Sequence, residues 1–331
     1  MTAEIVAPTA TYRLQLNQAF TFADAKALIP YLSDLGISHL YLSPILKARP
    51  GSTHGYDTVD HQQINPELGT IEDFRALIAT ARAANLGILL DFVPNHMGVG
   101  GADNALWLDV LQHGRASRYA DWFDIDWAVP DQRLTGKLLV PFLGLSHAQA
   151  LHSGQIVLQA DTNSIAIWAH GEHKMPLRPE DAAHLLAHYG SYAKAAAALN
   201  GIVDEPASWL ALDELIARQH WRLAHYLNAA DEINYRRFFT NSDLAGIRID
   251  RPEVFAHAHQ LIFQLIAEGL VDGLRIDHID GLLDPKGYLD QLVAHSPRPI
   301  ICWSKKSSRH TSNCGPIGPS TAPPATSSGR N

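Results

Sequence analysis

The pattern that most restricts the fold is a helix closed by glycine and followed at once by an apolar strand, met twice in the first hundred residues. "FADAKALIPYLSDLG" (22–36) leads into "SHLYLSPI" (38–45), and "TIEDFRALIATARAANLG" (70–87) leads into "ILLDFVPN" (88–95). The first helix repeats Ala, Leu and Ile at helical spacing. The second opens on Thr70 with acidic residues in its first turn and ends on Gly87, as helix start and stop signals require. With "TATYRLQL" (9–16) as an earlier strand, the order is strand, helix, strand, helix, strand. Strands this apolar are buried on both faces, which is the signature of parallel βα units.

The rhythm breaks after Gly98. Tryptophan-rich and proline-interrupted segments such as "YADWFDIDWAVPD" (119–131), with short strand-like runs in "KLLVPFLG" and "IAIWAH", read as a subdomain inserted after the third strand. Long helices are expected to return over 207–233 and 252–270, followed by a fourth strand at "DGLRID" (272–277), a helix from 287 to 295 and a fifth strand beginning near "RPII" (298–301). The expected divisions are 1–98 for barrel strands one to three, 99–200 for the insert, 201–301 for the barrel through strand four and the start of strand five, and 302–331 for a tail. That tail, crowded with Ser, Thr, Pro and Gly and lacking Leu, Val and Phe, reads as disordered.

Composition narrows the function classes. The 331 residues are 46% hydrophobic, enough for a substantial core, and the net charge of −8 argues against a polyanion-binding surface. A small neutral substrate, without nucleic acid or membrane as partner, is the expectation. No window suggests a membrane span, the first residues lack a signal-peptide pattern, and a cytoplasmic location is expected. Only Cys302 and Cys314 occur, so neither a disulfide framework nor a cysteine metal site is expected.

Reactive residues of a βα barrel sit at the C-terminal ends of strands and in the loops beyond. Three polar groups have that placement: "GSTHGYDTVDH" (51–61), "DFVPNH" (91–96) and "RID" (275–277). Taken singly, "DFVPNH" could be a strand turning at proline, and Arg275 with Asp277 an ordinary rim ion pair. Taken together they converge. Side chains two apart on a strand share a face, so Arg275 and Asp277 can meet at one site. A guanidinium favours the charged form of a neighbouring carboxylate, which suits a nucleophile better than a proton donor. Tyr56 could offer a ring face to a pyranose and His96 a donor to a sugar hydroxyl.

These motifs resemble conserved regions of the α-amylase clan, whose barrel carries a subdomain after strand three. Within the clan, "TYRLQL", "YLSDLGISHLYLSPILKARPGSTHGYD", "ADEINYRRFF" and "GLRIDHIDGL" are similar, in order, to maltooligosyl trehalose synthases, from Thr11 to about Ile300. The resemblance implies an α/β fold, a (β/α)8 TIM barrel of the α-amylase type with about its first half present. It implies an isomerase that converts the reducing-end α-1,4 bond of a maltooligosaccharide to an α,α-1,1 bond by retaining, intramolecular transglycosylation. It further implies Asp277 as nucleophile, Arg275 as its electrostatic partner, Tyr56, His96 and His278 as sugar contacts, Asp57 as a supporting rim residue, and a functional pairing with a maltooligosyl trehalose trehalohydrolase. Asn95 stands where calcium-dependent members hold a ligand, but a lone amide is far from the roughly 6–8 oxygens of a calcium site, so no metal is expected, and no cofactor.

A retaining mechanism needs a second carboxyl roughly 5–5.5 Å from the nucleophile. The clan supplies it as a glutamate ending strand five, yet no Asp or Glu follows Asp290. Codons can be chosen for Ile301 onward so that reading two nucleotides later gives "LLVEKILAPH", an apolar strand followed by glutamate. The expectation is a frameshift near Ile300, leaving this chain truncated and inactive. An amylase-type hydrolase and a catalytically dead glucan-binding remnant stay open as alternatives.

Overall fold

The computed structural model describes residues 7–304. Its centre is a sheet of five parallel strands in sequence order: β1 (Thr11–Leu14), β2 (His39–Leu42), β3 (Gly87–Phe92), β4 (Gly273–Ile276) and β5 (Ile301–Ser304). Every residue of β3 is buried, as a strand flanked by neighbours and covered on both faces must be. Helices α1 (Phe22–Ala27), α2 (Ile29–Asp34), α3 (Ile71–Ala83), α4 (Pro252–Ala267) and α5 (Pro285–His295) alternate with the strands.

Local chemistry fixes the helix starts. Thr70 accepts a hydrogen bond from the Asp73 amide while the Asp73 carboxylate caps Thr70 in return. Both α4 and α5 begin on proline, and Asp284 caps α5 through the Gly287 amide. The single helix expected over 22–36 is two, because Pro30, in the first turn of α2, has no amide to continue the ladder.

Two further expectations are corrected. The segment 207–233 is not a long helix: Leu210–Ala217 is helical, but Trp221–His225 is a strand lying parallel to Leu138–Leu143. A five-residue segment such as "WRLAH" reads equally well as either element, and here a distant partner decides it. For the same reason the insert does not close at 200. The strand Asn241–Gly246 pairs antiparallel with His96–Gly98, so the chain leaves the barrel at His96 and returns at Gly246. The insert also holds a three-stranded antiparallel sheet of Ile156–Ala160, Ile165–Ala169 and His173–Pro176.

The fifth strand begins at Ile301, within the expected 298–301, and runs to Ser304, taking in the first residues of the expected tail; Cys302 is buried. The remainder of that tail lies outside the described residues. No helix among the described residues is long and apolar enough to cross a membrane.

Candidate active site

The C-terminal ends of β1 to β4 bring together a chain of polar side chains through strand register alone. Arg13 is the register partner of Tyr41, and Asp91 of Arg275. Alternation puts Arg275 and Asp277 on one face, and the Arg275 Nη1 amino group donates to both Asp277 Oδ1 at 2.7 Å and Asp91 Oδ1 at 2.6 Å.

The two carboxylates are not equivalent. The Asp91 side chain is wholly buried, and its Oδ2 accepts from the hydroxyls of Tyr41 at 2.7 Å and Tyr56 at 2.5 Å. Arg13 Nη2 donates to the Tyr56 hydroxyl at 3.1 Å and stands 3.9 Å from Asp91 Oδ2. Asp277 keeps 12% of its side chain exposed, and its Oδ2 takes no hydrogen bond from any described residue. Asp91 therefore accepts on both oxygens and holds its neighbours, whereas Asp277 keeps one oxygen that no described residue binds.

Burial pushes the Asp91 carboxyl upward, against the pull of Arg275 and of the two phenols. Burial, and then the Asp91 charge, push the Tyr56 phenol up to about 12, so it stays a donor at neutral pH. Tyr56, expected only as a ring face, thus spends its hydroxyl in holding Asp91.

His96 lies in the wall beside this cluster and is fully buried. Its Nδ1 is 3.2 Å from the Asn95 amide nitrogen and its Nε2 is 3.2 Å from the Tyr56 carbonyl. Burial lowers its pKa to about 3, so the ring is neutral, and a sugar hydroxyl would have to share Nε2–H with that carbonyl. Asp57 is bound to its own loop: Ser52 Oγ donates to its carboxylate at 2.5 Å, and Gly98 allows its backbone a close approach, since a Cβ there would lie 2.7 Å from the Asp57 carbonyl.

His278 follows Asp277 with a left-handed backbone, φ 50°, and its ring packs 4.8 Å from Phe238 and 5.1 Å from Phe239. Phe239 is also left-handed, φ 52°, and 63% exposed. Bulky residues seldom adopt that conformation. Phe238, 4.3 Å from the His96 ring, completes an aromatic wall between His96 and His278.

Sequence reasoning brought Arg275, Asp277, Tyr56, His96 and His278 to the site, and the structure places all five around it; Asp57 sits behind the Tyr56 loop. It passed over Asp91, Tyr41, Arg13, Phe238 and Phe239. Two signals were available: Asp91 opens the "DFVPNH" motif, and "RRFF" carries the aromatic pair. No group of three or more His, Cys, Asp or Glu that could hold a metal ion occurs among the described residues.

Comparison with known proteins agrees with this architecture. Residues 26–152 match the family model for the α-amylase catalytic domain. A protein of Mycobacterium tuberculosis, provisionally named maltooligosyl trehalose synthase, is 41% identical over 288 residues, 85% of this chain and 32% of its own length. The solved maltooligosyltrehalose synthase of Arthrobacter ramosus is 36% identical with a TM-score of 0.74, over 92% of this chain and 36% of that one. A solved glycosyltrehalose synthase of strain DSM5389 is 38% identical with a TM-score of 0.75, over 89% of this chain and 37% of that one. The chain thus spans about a third of the relatives it matches. The chain is thus similar to the maltooligosyl trehalose synthases, and within it residues 26–152 carry the likeness to the α-amylase catalytic domain.

Proposed function

We propose that this chain carries the nucleophile half of a maltooligosyl trehalose synthase site, in a protein that works on maltooligosaccharides in the cytoplasm, paired with a trehalohydrolase that releases the product. The observation that carries this reading is the Oδ2 of Asp277, which takes no hydrogen bond from any described residue, beside an Arg275 already anchored by Asp91. In the proposed reaction Asp277 attacks the anomeric carbon and the α-1,4 C–O bond breaks, giving a covalent glycosyl-enzyme. The freed glucose then attacks that carbon through its own anomeric hydroxyl, displacing Asp277. Two displacements retain configuration. Tyr56, His96 and His278, with Asp57 supporting their loop, form the wall against the transferred sugar.

The departing glucose oxygen must gain a proton in the first step and the attacking hydroxyl must lose one in the second. β5 offers no group for this, because no Asp or Glu follows Asp290. We therefore assign to this chain the capacity for attack without the capacity to cleave an unactivated glycosidic bond.

A donor that needs no protonation separates the two. Incubation with a ring-fluorinated α-maltosyl fluoride, whose fluoride departs unaided and whose adduct turns over slowly, should label Asp277, read by peptide mass. An adduct on another residue, or none, would remove Asp277 from the role.

A further inference from the structure

Arg236, on the insert's return path, sends its guanidinium into the junction between β3 and the insert. Its Nη1 donates to Asn95 Oδ1 at 2.6 Å, its Nε to Asp124 Oδ2 at 2.8 Å and its Nη2 to the Ile247 carbonyl at 2.9 Å. The Asn95 carbonyl lies 3.5 Å from the same Nη2. Oxygens from the chain leaving the barrel, from the insert and from the chain re-entering the barrel thus converge on one cation. Its base is fixed independently, because the Arg236 amide donates to the Asp124 carbonyl and its own carbonyl accepts from Gly246. Gly246 is required for the approach: a Cβ there would lie 2.5 Å from the Arg236 Cζ.

This arrangement does not fit a metal. Calcium sits roughly 2.3–2.6 Å from its oxygens, and the space before Asn95 Oδ1 already holds Nη1. The oxygens a cation would use are the ones Arg236 uses.

We propose that Arg236 is a built-in cation that makes this junction independent of metal and, by orienting the Asn95 amide, turns a donor toward His96 Nδ1, enforcing from that side the same tautomer the Tyr56 carbonyl requires at Nε2. An amide has one accepting and one donating end. With Oδ1 held on a guanidinium, Nδ2 must face His96 Nδ1, which is then the acceptor. The ring proton resides on Nε2 and is donated to the Tyr56 carbonyl. The opposite amide orientation would set an NH2 group against a cation. Arg236 touches no reacting atom in this account; it is a positioning residue, acting through Asn95 and His96 on the loop that carries Tyr56. The inference stands whether or not Asp277 attacks a sugar.

The test uses the full chain labelled with nitrogen-15. Long-range proton–nitrogen correlation at neutral pH should show His96 as the Nε2–H tautomer. Arg236→Ala, which frees the Asn95 amide to turn, should shift the His96 Nδ1 resonance, and Gly246→Ala, which displaces the guanidinium without removing it, should shift the same resonance. The melting temperature of the unmodified chain should be the same in a chelator and in about 5 mM calcium, since a ligand that binds only the folded state would raise it. Unchanged His96 resonances in the variants, or a melt that the chelator lowers and calcium restores, would overturn the proposal. If Arg236→Ala does not fold, Gly246→Ala and the chelator experiment decide it.

Discussion

Asp91 and Asp277 take hydrogen bonds from the same nitrogen, Arg275 Nη1, at 2.6 and 2.7 Å. The first side chain is wholly buried and takes bonds on both oxygens; the second keeps 12% of its side chain exposed, and its Oδ2 takes no hydrogen bond from any described residue. One arginine thus divides two carboxylates into a support and the proposed reactant, and the division comes from burial and hydrogen bonding, since both are aspartates at the ends of neighbouring strands.

Removing the support should cost more stability than removing the reactant. Asp91→Asn takes the charge from a buried partner of Arg275 and disturbs two phenol hydrogen bonds, a change expected to cost about 3–5 kcal/mol. Asp277→Asn leaves Arg275 anchored by Asp91 and should cost about 1 kcal/mol. Urea unfolding of both variants checks the order, and equal costs would contradict the division of roles.

Stability should fall in mild acid. His61, His96 and His259 are buried, and burial lowers their pKa values to about 4, 3 and 3. In the unfolded chain they titrate at about 6.5, so between there and about 4 the unfolded state binds more protons. The stability these neutral rings contribute is fully present above about 6.5 and is lost as pH falls toward their folded values. Each histidine contributes up to about 1.4 kcal/mol per pH unit within that window. Urea midpoints at pH 7, 6 and 5 should decline, and His259→Gln should flatten the decline. A constant midpoint across that range would show the rings are not held neutral.

Phe239 combines a left-handed backbone with high exposure, a costly way to place a ring unless the ring is used. Phe239→Gly should stabilise the fold by about 1 kcal/mol by relieving that backbone, while weakening maltotetraose binding in calorimetry. A variant that binds the sugar as well as the parent would make the ring ornamental.

The legible part of this structure is what lies close along the chain. Arg275 and Asp277 are two residues apart, so strand alternation puts them together, and the capping pair Thr70 and Asp73 marks α3 by spacing alone. Asp91 meets Arg275, Tyr41 and Tyr56 only because the strands pair in one register, and a single sequence does not state register. Arg236 reaches Asn95 across 141 positions, and Trp221–His225 becomes a strand only because Leu138–Leu143 lies beside it. The aromatic wall comes from "RRFF", yet nothing local says that Phe239 would be left exposed.

The full chain should not remove reducing ends from maltopentaose. In the proposed reaction Arg275 and Asp277 set up attack on an anomeric carbon, but the leaving sugar oxygen of an unactivated glycoside departs as an alkoxide unless protonated. General acid catalysis is typically worth about 10²–10⁴-fold, and its loss at the end of β5 applies to both displacements. Tyr56 does not fill the gap: its hydroxyl is donated to Asp91 and its phenol is held at about 12, far from the range useful for exchanging a proton at neutral pH. Activated fluoride donors and natural oligosaccharides should therefore separate by several orders of magnitude on this chain, with a full-length maltooligosyl trehalose synthase alongside as the positive control. Loss of reducing ends at the control's rate would mean that another described group supplies the proton, and gain of reducing ends would mean that water, not the freed glucose, takes the second step.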